Sequence, residues 1–214
     1  MPKSDDYTVN SFNIELNTDN KNTDDREYIN NITATIMDIS NEFIKRHSNI
    51  NLCTSQGLSE LLKDIGRKYK VGFNTVTKEY DIKELNILWD IYTVICCTCR
   101  IKPTLLRFSM MVNINKDTIN SWLKGEYDGR VASGHSVSAQ KWKSECESTL
   151  YDEVIQTGNI GCMFALKANY GYRDNVQIIA YDDKAGKPEY TRAEIEERAR
   201  SADLLPESAD ELPD

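Results

Sequence analysis

The residues with the clearest chemical potential lie at positions 115–124, which read Asn-Lys-Asp-Thr-Ile-Asn-Ser-Trp-Leu-Lys. Wound as a helix, this stretch turns Ile119 and Trp122 to one side. The other side carries Asn115, Lys116, Asp117, Thr118, Asn120, Ser121 and Lys124. An asparagine amide matches the paired hydrogen-bonding groups of adenine, and a lysine those of guanine. Threonine and serine hydroxyls suit phosphates or base edges. The candidate DNA-binding residues are therefore Asn115, Lys116, Thr118, Asn120, Ser121 and Lys124, and the partner they fit is double-stranded DNA. The plainer reading of the same residues is the solvated outer face of a packed helical hairpin. Lys141 and Lys143, with Arg130, are candidate phosphate contacts nearby, although any one lysine taken singly reads more readily as solvated surface.

Other chemistry finds less support. Cys96-Cys97-Thr98-Cys99 invites a zinc reading, but zinc sites need a second ligand pair, and His47 and His135 are remote in sequence. Cys96 and Cys99 instead share the apolar face of a helix, where thiols fill a core. No metal or other cofactor is expected. The chain has no Gly-x4-Gly-Lys-Ser/Thr phosphate loop, no Gly-x-Ser-x-Gly elbow and no His-Glu-x2-His helix. With no catalytic constellation to support an enzyme, a binding role is expected. The first residues, Met1-Pro2-Lys3-Ser4-Asp5-Asp6, have no apolar core of the kind a signal peptide needs. The longest apolar stretch, around Ile87–Cys99, is interrupted by Asp90 and Thr93 and falls short of the ~20 apolar residues that span a bilayer. These features lead to the expectation of a cytoplasmic protein with reduced cysteines and no membrane partner.

The candidate helix must be held by others. Residues 105–124 suit two short helices that cross steeply, a helix-turn-helix. Phe108, Val112, Ile114, Ile119 and Trp122 face the crossing, Ser109 is small enough for close approach, Asn113 tolerates a left-handed turn, and Asn115 caps the second helix. Upstream, Ile29, Ile32, Ile36, Ile39 and Phe43 step by three or four and predict a helix over 24–46. Leu58, Leu61, Leu62 and Ile65 predict another over 56–68, followed by a loop at 69–80. Asp81 with Glu84 forms a capping-box-like pair for a third helix, whose face is Ile82, Leu85, Trp89, Tyr92, Cys96 and Cys99. Downstream, Trp142, Cys146, Leu150 and Val154 predict a helix over 137–157. Asn159 caps a short helix to about Asn169, and Gly171 ends it.

The expected fold class is thus all-α: a multi-helix domain with a helix-turn-helix, then a helical hairpin-like segment, one short strand and an acidic tail. Residues 1–22 read as a disordered arm, although the alternation of Phe12, Ile14 and Leu16 also suits a short docking strand. Residues 23–130 form the helical domain with the helix-turn-helix at 105–124, and 136–172 an oligomerisation segment. Residues 173–214 hold a strand signal at 175–181 and a charged helical patch at 191–202. The net charge of -8 is unevenly spread. Residues 60–145 carry 14 Lys/Arg against 10 Asp/Glu, a net +4, whereas residues 174–214 carry 5 against 12, a net -7. Phosphates feel the local field, so the basic middle is compatible with nucleic acid despite the acidic total.

From Tyr80 to about Tyr172 the sequence resembles the small terminase subunits of tailed bacteriophages and prophages. The residues carrying the resemblance are Phe108, Thr118 and Trp122 in the helix-turn-helix, Ser133-Gly134-His135-Ser136, Lys141 to Glu147, and Met163-Phe164-Ala165-Leu166-Lys167-Ala168-Asn169-Tyr170-Gly171-Tyr172. The last run is the most specific. The resemblance covers under half of the chain. It implies a protein that recognises the viral packaging site, assembles as a homo-oligomeric ring and hands DNA to the large terminase subunit, which holds the ATPase and nuclease. A helix-turn-helix transcription regulator of a phage or mobile element has the same reader, and an acidic interaction scaffold is a third class. The acidic tail, which DNA would repel, suits contact with the large subunit or serves as a solubiliser.

Overall fold

The computed structural model describes residues 9–18, 22–125 and 134–173. Its helices are α1 (Thr23–Arg46), α2 (Ser55–Lys68), α3 (Ile82–Thr98), α4 (Leu105–Val112), α5 (Lys116–Lys124), α6 (Gly134–Thr157) and α7 (Ile160–Tyr170). The fold is mostly helical, as the recurring three-to-four spacing implies. The exception within the described residues is a two-stranded antiparallel hairpin, β1 (Phe73–Asn74) and β2 (Glu79–Tyr80), with Phe73 opposite Tyr80. It lies in the stretch expected to be plain loop. Two-residue strands leave no alternation to detect. The strand signal at 175–181 and the patch at 191–202 lie outside the described residues.

Helix ends follow local chemistry. Asn22, Thr54, Asp81, Thr104, Asn115 and Asn159 each accept a first-turn backbone N–H through the side chain. Asp24 and Asp25 open α1 while Lys45 and Arg46 close it, matching the helix dipole. The capping box at Asp81 forms only in half. Asp81 accepts from the N–H groups of Lys83 and Glu84, but the Glu84 carboxylate does not return to Asp81. It accepts instead from the Tyr69 hydroxyl at 2.5 Å and the Gly72 N–H at 2.7 Å, and Glu84 is buried. A buried carboxylate needs such donors, and these two are supplied by the segment leaving α2.

The expected disordered arm is corrected at residues 9–18. Val9, Phe12 and Ile14 are buried in the core, and the Phe12 N–H donates to Asn41 Oδ1 at 2.9 Å. The segment is irregular and not a strand. Apolar burial against α1 holds a stretch whose polar composition alone suggests disorder.

At the centre, α2 lies against α4 and α1, and α3 against α4 and α6. Gly66 permits the first contact. A Cβ there would lie 2.4 Å from the Met110 carbonyl oxygen of α4, closer than atoms can pack. Trp89 of α3, Phe108 of α4 and Trp142 of α6 meet in one aromatic cluster, with Trp89 and Trp142 stacked at 5.6 Å and Phe108 5.0 Å from each. The indole N–H groups are satisfied: Trp89 donates to Glu145 at 2.5 Å and Trp142 to Asn86 at 3.2 Å. Cys96, Cys99 and Cys146 are buried, and desolvation pushes the thiol of Cys96 up to about 11 and those of Cys99 and Cys146 to about 12. Among the described residues no helix is long and apolar enough to cross a membrane.

Candidate nucleic-acid interface

The pair α4 and α5 is positioned from both sides. Pro103 and Thr104 enter α4 from α3, and Tyr92 grips the entry. Its hydroxyl donates to the Thr104 carbonyl at 2.9 Å and accepts from the Thr104 N–H at 2.8 Å. Burial drives the Tyr92 phenol pKa well upward, so the hydroxyl keeps the proton this exchange requires. Arg107 ties α4 to α2 through Nη2 and Ser55 Oγ at 2.8 Å.

Between the two helices the chain turns over Asn113, Ile114 and Asn115. Asn113 adopts the left-handed conformation with φ 53°. Its N–H and that of Ile114 both reach the Ser109 carbonyl, which closes the end of α4. Asn115 Oδ1 accepts from the Asp117 N–H at 3.0 Å and starts α5, and Gly125 with φ 69° stops it. Phe108, Val112, Ile114, Ile119 and Trp122 are all buried, as the crossing of two short helices demands.

The inner face of α5 is clamped by residues that local spacing does not single out. The Trp122 ring lies 4.9 Å from His135 and 6.1 Å from Tyr80. His135 Nε2 lies 2.9 Å from the Tyr80 carbonyl oxygen. The start of α6 and the end of the β-hairpin therefore meet behind α5. The sequence reading starts α6 at about residue 137, after a polar loop over Gly125–Gly134. The helix in fact begins at Gly134, which brings His135 and Ser136 into the buried set.

On the outer face, Asn115, Lys116, Asp117, Asn120 and Lys124 are exposed, and Thr118 and Ser121 half-buried. At about 100° per residue, Asp117, Asn120, Ser121 and Lys124 fall on one strip opposite Ile119 and Trp122. Lys116 and Thr118 lie on its two flanks, and the Asn115 carbonyl oxygen is engaged in the cap. The strip, with Leu123 and with Lys143 of α6, lines a shallow concavity of about 460 Å³. Lys143 reaches it while its ammonium lies 5.5 Å from the centroid of the Tyr170 ring in α7. Lys141 is turned toward Glu145, 3.7 Å away, and Arg130 lies outside the described residues. Two lysines thus border a row of amide, hydroxyl and carboxylate groups.

Among the described residues, no three His, Cys, Asp or Glu side chains converge as a metal site would require. No family model, no curated protein and no solved structure matches this chain.

Proposed function

We propose that this protein binds double-stranded DNA by laying α5 in the major groove as the second helix of a helix-turn-helix. The observation that carries the reading is the outer strip of α5, polar along its length, presented by a helix whose opposite side is fully buried. Phosphate contacts come from Lys116 and Lys124 on α5 and Lys143 on α6. Asn120 contacts a base edge, and Thr118 and Ser121 reach bases or the backbone.

Within DNA binding, the reading favoured here is a terminase small subunit-like protein that binds a viral packaging site and recruits the large terminase subunit. The resemblance across Tyr80–Tyr172 supports it. So does the surface of α6 and α7, where Ile155, Ile160 and Phe164 are 66–67% exposed, more apolar surface than a lone helical hairpin has reason to present. A second copy of the chain is the occupant proposed for that surface, giving a ring. The net -7 of residues 174–214 suits a partner other than DNA, and the large subunit is the one proposed.

Lys116→Ala and Lys124→Ala test the DNA reading. Each removes one phosphate contact and should flatten the dependence of log affinity on log salt by about one unit. An unchanged slope in both removes α5 from the interface. Light scattering on the full chain then separates the two DNA-binding classes: a ring supports the packaging protein, and a dimer the transcription regulator.

A further inference from the structure

We infer that Asp117 and Asn120 together read adjacent base pairs, with Asp117 selecting a cytosine, so that the recognised duplex presents a C·G pair next to an A·T pair. The inference rests on the proposed DNA reading and adds to it the sequence class of the site. A carboxylate in the first turn of α5 suits the helix dipole, but on a surface laid against DNA it must face either a phosphate that repels it or a base-edge donor that matches it. Asp117 is exposed, at the centre of the strip furthest from buried Ile119 and Trp122. Among the described residues no cation pairs with it, although Lys124 and Lys143 line the same concavity.

A carboxylate at that place accepts hydrogen bonds only. Of the groups displayed in the major groove, cytosine N4 and adenine N6 are donors, but adenine also presents the N7 acceptor, which repels a carboxylate. Cytosine is the base that suits it. Asn120, one turn on and on the same strip, has both the acceptor and the donor that adenine N6 and N7 need. Positions three apart on a helix entering the groove contact successive bases, as in other major-groove readers. The lysines at either side then hold the backbone, and Asp117 rejects sites that bring phosphate or guanine against it.

The test is selection of the full-length protein against a pool of random duplexes, repeated with Asp117→Asn, Asp117→Ala and Asn120→Ala. The wild-type motif should hold a cytosine beside an adenine. Asp117→Asn should replace that cytosine by adenine and weaken binding to the wild-type site about five- to tenfold. Asp117→Ala should lose preference at that position alone, and Asn120→Ala at its neighbour alone. A motif that emerges and stays the same in both Asp117 variants overturns the role of Asp117 and leaves DNA binding by α5 standing. Failure of the wild-type protein to bind any duplex overturns the DNA reading itself, and this inference with it.

Discussion

Helices α3 and α7 are comparably rich in apolar residues, yet α3 buries nine of its residues and α7 buries Leu166 alone. The difference lies in their neighbours. Helix α3 is met by α1, α4 and α6, which leave it a single exposed line, Lys83, Asp90 and Cys97. Among the described residues helix α7 packs chiefly against α6, and Ile160, Met163 and Phe164 are exposed. Helix α6 divides along its own length in the same way. All its buried residues, the last of them Cys146, precede Glu147, while the stretch beyond exposes Tyr151 and Ile155. Apolar content shows that a helix needs a partner; packing shows whether this chain supplies it. On that ground the described residues form a packed body that includes α5, joined to a hairpin whose apolar side chains are exposed.

The sharpest way to break the comparison is to remove a side chain from the packed body. Trp122→Ala truncates a residue that is 1% exposed and carries the contact of α5 with Tyr80 and His135. The expected cost is about 3–5 kcal/mol, a large share of the stability of a domain this size. Thermal melting checks it, and an unaltered midpoint would mean that α5 is seated by something other than its tryptophan.

Gly66→Ala is expected to cost less, about 1–3 kcal/mol, because overpacking is partly relieved by small shifts. Alanine is the better helix former, so propensity alone predicts a gain of up to about 1 kcal/mol. The new Cβ, however, would meet the Met110 carbonyl at 2.4 Å and that of Met111 at 3.0 Å, both backbone atoms that cannot rotate away. The sign of the change in denaturant midpoint decides which effect wins. A stabilised variant would show that α2 and α4 are less closely held than they are drawn here.

The same contrast separates what local sequence reveals from what it hides. The limits of α1, α2 and α5, the left-handed Asn113 and the cap at Asn115 all depend on residues a few positions apart, so the spacing reveals them. The strip on α5 is legible for the same reason. Residues 9–18 are not, since Phe12 is fixed by Asn41, 29 positions away. Glu84 carries a local capping signal, but donors 12 and 15 residues upstream capture its carboxylate. The backing of α5 by His135 depends on how α6 packs, which no local pattern encodes, and the same packing separates Lys143, which reaches the outer strip, from Lys141, which turns to Glu145. Sequence also marks Leu150 and Val154 as members of a buried stripe, whereas both are half-buried because the stripe outruns the body it packs on.

The smallest effect on stability is expected where the surface is open, and there the informative quantity is size. Ile155 is 67% exposed and Phe164 66%, so a charge at either place buries nothing in the single chain. Ile155→Asp and Phe164→Asp should each change the stability of an unassembled chain only within the range of ordinary surface changes, about 0.5 kcal/mol, as thermal melting checks. In an assembly built on this surface the same carboxylate is forced against apolar side chains of the next copy, where burying an unpaired charge is costly. Light scattering should then find the double variant reduced to a single chain at concentrations where the unaltered protein assembles. Aspartate is preferred to alanine for this purpose, since alanine removes contact area but still permits docking. An unaltered assembly size in the double variant would place the joining surface elsewhere. A stability lowered by several kcal/mol would show that α7 is covered within the single chain, and the contrast between the two helices would vanish.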